Sequence, residues 1–149
     1  AWHFDRRWFL PKLALGAIIL VGMSGAITAL GDTLFQVGTL AEGIKQDFSI
    51  AAHFLLRLRV IHPVIAVASA ALLFHFADVA HTRRPHALLG KTAFALKALV
   101  IAQLGIGVIN LLLLAPVSLQ LLHLLMAEAV WMATVLVAAL SWEKPATGC

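Results

Sequence analysis

Four apolar blocks, each close to the length of a membrane span, dominate this 149-residue chain. They are Leu13–Leu30, Val60–Ala77, Ala93–Ala115 and Val117–Ser141. A helix needs about 20 apolar residues to cross a hydrocarbon core of about 30 Å. A soluble core of this size cannot cover so much apolar surface, because the mean hydropathy is +0.97 and only 12% of residues are charged. The sequence therefore predicts an all-α membrane protein, a four-transmembrane-helix antiparallel bundle.

The expected orientation follows from the basic residues, which stand at the ends of the spans. The predicted spans cover approximately residues 12–31, 50–78, 91–115 and 117–141, within a single domain of residues 1–149. The basic residues before the first span and between the second and third are Arg6, Arg7, Lys12, Arg83, Arg84 and Lys91. By the positive-inside rule both termini face the cytoplasm. Because the net charge of +4 comes largely from these span ends, nucleic acid is excluded as a partner.

The link between the first two spans has a helical pattern of its own. Leu40, Ile44 and Phe48 recur at helical spacing among polar residues. This pattern predicts a short helix on the extracytoplasmic membrane surface, lying over a site below it. Asp47 and Ser49, both good N-cap residues, then mark the expected start of the second span.

Small and helix-bending residues modify two of the spans. In the first, Gly16, Gly22, Ser24 and Gly25 are available for close packing of a neighbouring helix. In the second, Pro63 removes one backbone hydrogen bond, so a kink is expected just after His62.

Two histidines occupy similar depths in different spans. At about 1.5 Å per residue, His62 lies about one turn below Arg59, and His123 lies about 10 Å below Pro116. Both therefore fall in the outer half of the bilayer. Two imidazoles from two helices of a four-helix bundle can serve as the axial ligands of a haem iron. A lone histidine within a span is more often a hydrogen-bonded packing residue, and the matched depths make the two interpretations about equal.

A second haem is disfavoured. His75 follows His62 by 13 residues, or about 20 Å along a helix, which is a spacing typical of two-haem cytochromes b. The fourth span offers no partner, because Leu136 and Val137 stand at that depth. His75 is therefore predicted to be interfacial, beside Asp78.

The two arginines before His62 differ in angle. Arg59 lies three positions before His62 and shares its face, whereas Arg57 points roughly 140° away. A haem with its propionates directed outward would place carboxylates beside Arg59, since arginine is the preferred partner of a carboxylate. Contact with lipid phosphate is an equally good interpretation for Arg59 and a better one for Arg57. Ala66 and Ser69 continue the His62 face with small side chains.

Two further ionisable residues lie within the spans. Glu128 is expected to be protonated and structural, with Gln103 as its hydrogen-bond partner and proton handling as the less favoured role. Lys97 is expected to extend toward the cytoplasmic end of its span. The single cysteine, Cys149, excludes a disulfide within the chain and a Cys-ligated metal site. The first residue, Ala1, favours a processed chain or a piece of a longer one.

Three stretches resemble the haem A synthase family over residues 13 to about 140. They are "ITALGDTLF" at the end of the first span, "FLLRLRVIHPVIAV" in the second, and "QLGIGVINLLLLAPVSLQLLHLLMAE" across the third and fourth. The resemblance implies a membrane enzyme that oxidises the C8 methyl group of haem O to the formyl group of haem A for cytochrome oxidase assembly. Family members have two similar four-helix halves, one binding the substrate and one holding a b-type haem that relays electrons.

The chain departs from the family's pattern at one informative position. The substrate half carries a glutamate one turn before its first histidine, and Arg59 stands there in this chain. The resemblance therefore implies the C-terminal, cofactor half, with His62 and His123 as the two ligands of one haem b. The chain is about half the family's usual length, and the cysteine pair of some members is absent.

This resemblance leaves three functions open. The first is part of an oxidoreductase whose catalytic half is not in this chain, with a second four-helix half or another subunit as partner. The second is a non-enzymatic b-type cytochrome subunit of a larger electron-transfer complex, and the third is a haem-free structural subunit. The expected location is the bacterial inner membrane, with membrane lipid around the bundle and the haem site toward the extracytoplasmic side.

Overall fold

Five helices make up the part of the chain that the computed structural model describes, residues 9–49 and 53–142. They are α1 (Phe9–Leu34), α2 (Leu40–Asp47), α3 (Phe54–Arg83), α4 (Ala87–Leu112) and α5 (Val117–Trp142). All but α2 are long and apolar enough to cross a membrane, and no strand occurs within these ranges. The predicted all-α membrane protein with four spanning helices is confirmed.

The four long helices form a closed ring of neighbours. The most extensive contacts join α1 to α3 and α4 to α5, and further contacts join α3 to α4 and α5 back to α1. Large apolar side chains cover the outside of the ring; Met23, Phe94 and Leu125, for example, are 62%, 75% and 67% exposed. Lipid tails suit such a surface because they are as apolar as these side chains.

Packing divides the bundle into two halves along its length. One half contains the start of α1, the end of α3, the start of α4 and the end of α5, and we call it the inner half. The opposite half is the outer half. The buried apolar cluster lies in the inner half and at mid-helix, and its largest buried side chains include Phe76, Leu96 and Val137. His62 and His123 lie in the outer half, outside this cluster.

The start of α3 differs from the prediction. Asp47 and Ser49 do not cap α3, because Asp47 instead ends α2 and pairs with Arg59. The N-cap of α3 is His53, whose Nδ1 accepts a hydrogen bond from the backbone N–H of Leu55 at 3.3 Å. Residues 50–52, where the span was expected to begin, lie outside the described residues, as do Arg6, Arg7 and Cys149.

The predicted short helix in the first link is confirmed as α2. Its N-cap is Thr39, whose Oγ1 accepts a hydrogen bond from the backbone N–H of Glu42 at 3.2 Å, and α2 packs against α3. Ile44 and Phe48 point their apolar side chains outward, at 53% and 73% exposed. The location of α2 on the membrane surface remains a prediction.

The link between α4 and α5 is a tight turn of residues 113–116. Leu114 and Ala115 have φ values of 59° and 53°, a region that costs side-chain-bearing residues energy. The backbone N–H of Ala115 donates to Asn110 at 2.7 Å, and the side-chain amide of Gln120 donates to the Ala115 carbonyl. So short a link makes α4 and α5 antiparallel neighbours, as the sequence predicted.

Candidate functional site

His62 on α3 is held by two adjacent residues of α1. The Nδ1 of His62 lies 2.9 Å from the hydroxyl oxygen of Ser24. The ring also packs on Gly25, where an added Cβ would lie 3.1 Å from His62 Cε1. A side chain at position 25 would therefore push against the imidazole. The helix continues through Pro63, the next residue, and the expected kink there remains a prediction.

His123 on α5 is held by two residues of α4. Its ring packs on Gly107, where an added Cβ would lie 3.1 Å from His123 Cε1. The side-chain amide nitrogen of Gln103 lies 3.3 Å from His123 Nε2. The Nδ1 of His123 and the Oε1 of Gln103 are buried and make no hydrogen bond with the described part of the chain. The site thus contains buried polar atoms that lack partners.

The two imidazoles lie at similar depths in the outer half. His62 is eight residues into α3 and His123 is six residues into α5, or about 12 Å and 9 Å along their helices. Ser69, on the His62 face, is buried, and Ala66 is half-buried. Within the described residues no group of three or more His, Cys, Asp or Glu side chains could hold a metal ion, whereas a haem iron takes only two protein ligands.

Arg59 forms ion pairs with two carboxylates above His62. Its Nε lies 3.3 Å from Asp32 Oδ1 and 3.5 Å from Asp47 Oδ1. Neither pair has hydrogen-bond geometry, and the buried Nε and Nη2 of Arg59 make no hydrogen bond with described residues. Burial raises the pKa of the Asp47 carboxyl above its usual range, and the nearby guanidinium opposes that rise. Arg59 thus joins α1, α2 and α3, and its Nη2 is a donor that no described residue uses.

A separate polar group lies in the inner half. Lys97 pairs with Asp78, and its ammonium lies 5.9 Å from the centre of the Phe74 ring. Asp78 therefore has Lys97 as its partner rather than His75, and His75 is exposed. The predicted interfacial place of His75 agrees with this exposure, and its role stays a prediction.

The proposed pairing of Glu128 with Gln103 is wrong. Gln103 is hydrogen-bonded to His123, and Glu128 lies on the exposed side of α5. Two residues of the site do not follow from the sequence: it predicts only close packing for Ser24, and it predicts no role for Gly107. One sequence feature could have pointed to these contacts. The helices that pack against the two histidine-bearing helices carry glycines, Gly25 in α1 and Gly107 in α4. Gly16 and Gly22, by contrast, have open space around them.

Comparison with known proteins gives a family and two relatives. The family model of the cytochrome oxidase assembly protein matches residues 6–135. Two curated relatives, each named protohaem IX farnesyltransferase and each from a strain of Thermus thermophilus, are 48% identical over 136 residues. The match covers 90% of this chain and 22% of each relative, so the chain spans about a fifth of their length. No solved structure gives a significant match. Because the family model covers most of the chain, the protein belongs to the cytochrome oxidase assembly protein family, which is the haem A synthase family.

Proposed function

We propose that this chain is the cofactor-holding unit of a haem A synthase, in which His62 and His123 bind the iron of one b-type haem. The observation that carries the proposal is the pair of imidazoles in the outer half, each packed on a glycine of an adjacent helix. Membership of the family supplies the class of cofactor. When bound, the haem supplies one-electron transfer to a partner unit that oxidises the methyl group of haem O.

The residues around the two histidines fit such a group. A bis-imidazole haem needs two ring nitrogens and a planar space, and the outer half lies outside the tightly packed apolar cluster. Its propionates need a cation with free donors. The Nε of Arg59 already faces Asp32 and Asp47, whereas its buried Nη2 lacks a hydrogen-bond partner among the described residues and so suits a carboxylate at that level.

The chain's own residues then hold and orient the cofactor. His62 and His123 fix it between α3 and α5, while Gly25 and Gly107 keep the rings against the helix backbones. Arg59, which pairs with Asp32 and Asp47, would bind a haem propionate. Arg59 also stands where the family's substrate half carries its glutamate. The partner half is therefore the unit that we assign to the oxidation step.

The relatives extend the proposal to a partner. The name protohaem IX farnesyltransferase applies to chains of which this segment is only 22%, so it gives no reason to assign farnesyl transfer to this chain. It does describe an enzyme that modifies protohaem. We infer that this unit works beside a membrane enzyme that farnesylates haem, in a bacterial inner membrane and with both termini on the cytoplasmic side.

A reduced-minus-oxidised spectrum of the purified full chain, followed by pigment extraction, tests the assignment. Extraction of protohaem with a low-spin spectrum is the expected result. Haem O or haem A in the extract would instead make this the substrate half. Chain purified without any haem, and unable to take up added haemin, would contradict the proposal and leave the two histidines as packing residues.

Co-expression separates the enzyme from a simple cytochrome subunit. If the chain serves haem A synthesis, membranes that also contain the partner half should form haem A from haem O, and the His62→Ala variant should not support this. An electron-transfer subunit of another complex would hold protohaem without affecting haem A formation.

A further inference from the structure

We propose that Ser24 is a positioning residue that fixes the tautomer of His62 and thereby presents His62 Nε2 as the iron ligand. The inference rests on the proposed haem function. Ser24 is 8% exposed, and its hydroxyl makes two contacts. Its Oγ lies 2.9 Å from the Val21 carbonyl oxygen and 2.9 Å from His62 Nδ1.

The tautomer follows from the count of hydrogens. A serine hydroxyl has one hydrogen, and the contact with the Val21 carbonyl needs it because a carbonyl oxygen can only accept. With the serine hydrogen on the Val21 carbonyl, we assign Nδ1–H of His62 as the donor to the serine oxygen. A neutral imidazole with a hydrogen on Nδ1 carries its lone pair on Nε2. His62 Nε2 makes no hydrogen bond within the described ranges, so this lone pair is available to a metal.

Gly25 completes the arrangement by letting the ring lie close to the α1 backbone. The imidazole lies beside the place of a side chain at position 25, with Cε1 3.1 Å from the Cβ position. Ser24 and Gly25 are consecutive residues of α1, so one turn of helix fixes both the hydrogen bond and the ring contact. Ligating histidines usually donate their second N–H to an acceptor in this way, which orients the ring and raises the basicity of the ligating nitrogen.

His123 has no such support. Its Nε2 receives the hydrogen bond from Gln103, and its Nδ1 is buried without a partner in the described structure. The Gln103 amide must leave Nε2 before iron can bind there. Ser24 therefore makes His62 the ligand that is ready before the cofactor arrives, and His123 the ligand that becomes available on binding.

The first test measures the tautomer in the full chain without added haem. Nitrogen-15 NMR of protein labelled at histidine distinguishes Nδ1–H from Nε2–H rings, and His62→Ala identifies the His62 signals by their loss. We expect Nδ1–H at His62 in the wild type and in Ser24→Thr, and a mixture of tautomers in Ser24→Ala. Thr28→Ala is the matched control, because Thr28 donates to the Ser24 carbonyl and not to the histidine.

The second test measures the haem itself. Loss of a supporting hydrogen bond typically weakens metal binding 10- to 100-fold, so Ser24→Ala should bind haemin about 10-fold more weakly. Because the more basic ligand favours ferric iron, a tenfold loss confined to the ferric state raises the midpoint potential by about 59 mV. Ser24→Thr should keep the wild-type haemin affinity and midpoint potential, and Thr28→Ala should change neither.

The outcomes separate this inference from the proposed function. An Nε2–H ring at His62 in the wild type, or equal tautomer populations in wild type and Ser24→Ala, would overturn the role of Ser24 even in a chain that binds haem. An Nδ1–H ring that depends on Ser24 in a chain unable to bind haem would overturn the proposed function, and with it the assignment of Nε2 as iron ligand.

Discussion

The α1/α3 helix pair and the α4/α5 helix pair each press a histidine ring against a glycine of the neighbouring helix, at the same 3.1 Å, but they treat the ring nitrogens differently. In the first pair a serine contacts Nδ1, and Nε2 has no hydrogen bond among the described residues. In the second pair a glutamine contacts Nε2, and Nδ1 has no partner in the described part of the chain. Similar packing thus comes with a serine at Nδ1 of one histidine and an amide at Nε2 of the other.

The two helix pairs therefore show that the position of a histidine ring and the choice of its available nitrogen depend on different neighbours. A glycine opposite a histidine decides where the ring lies, since any side chain there would occupy its space. The polar neighbour decides which nitrogen can act as a ligand, because each ring nitrogen is either a donor or an acceptor. The first pair also carries α2 and the ion pairs of Arg59 with Asp32 and Asp47, whereas the second pair ends in a four-residue turn.

The largest expected effect tests whether the two pairs act together. His62→Ala and His123→Ala should each abolish the low-spin haem, because a six-coordinate iron needs both imidazoles. Reduced-minus-oxidised spectra and extracted pigment measure this loss. His75→Ala is the control, since His75 lies in the inner half and is exposed. Loss of haem in the His75 variant alone would reverse the assignment of the site.

A smaller loss is expected when the glycines are filled. Gly25→Leu and Gly107→Leu should displace the adjacent rings, and overpacking typically costs about 1–3 kcal/mol. Since 1.4 kcal/mol is a factor of ten, haemin titration should show affinity falling about 5- to 150-fold in both variants.

Two other glycines of the same helices serve as controls for this test. Gly22→Leu and Gly105→Leu add the same side chain at positions where nothing lies within 4 Å of the new Cβ, and they should bind haem normally. If all four variants lost affinity equally, the effect would come from the helices in general and not from contact with the histidines.

These two predictions also show what the sequence could and could not provide. The four spans follow from block length, because a bilayer demands about 20 apolar residues per helix. The matched depths of His62 and His123 follow from the rise per residue. Which residue of α1 faces His62 depends on helix rotation and on the offset between helices, and neither appears in a single sequence. The sequence consequently predicts only packing for Ser24, and it pairs Gln103 with Glu128.

The start of α3 was mispredicted for a related reason. Asp47 is a good N-cap residue by type, and local sequence favours that role. Its carboxylate instead pairs with Arg59, a residue 12 positions away in sequence, and His53 caps the helix. A tertiary ion pair thus outweighed a local preference, which no spacing rule within the link reveals.

Removing the polar neighbour of the histidine should change haem affinity in opposite directions in the two helix pairs. Gln103→Leu removes the amide that competes for His123 Nε2, so haem binding should tighten, whereas Ser24→Ala weakens it. A hydrogen bond contributes about 0.5–1.5 kcal/mol net, which corresponds to a gain of about 2- to 10-fold in haemin affinity. Gln120→Leu is the control, because Gln120 donates to the Ala115 carbonyl and contacts no histidine. Weaker binding in Gln103→Leu would mean that Gln103 supports the bound ligand.

The smallest expected effect concerns α2, the short helix that packs against the α1/α3 pair only. Asp47 is 13% exposed at the side chain, and burial raises its pKa above the ordinary 3.8 in spite of Arg59. Between the unfolded and the folded pKa the folded chain binds more protons than the unfolded chain, so stability falls as the pH rises through that window. Asp47→Asn should remove this fall in stability. Above the window its free energy of unfolding should exceed that of the wild type by less than about 1 kcal/mol, the usual range for ion pairs near the surface. Thermal unfolding in detergent from pH 4 to pH 7 measures the difference. If the wild type instead became more stable than Asp47→Asn as the pH rises, the attraction of Arg59 would exceed the cost of burying the Asp47 carboxylate.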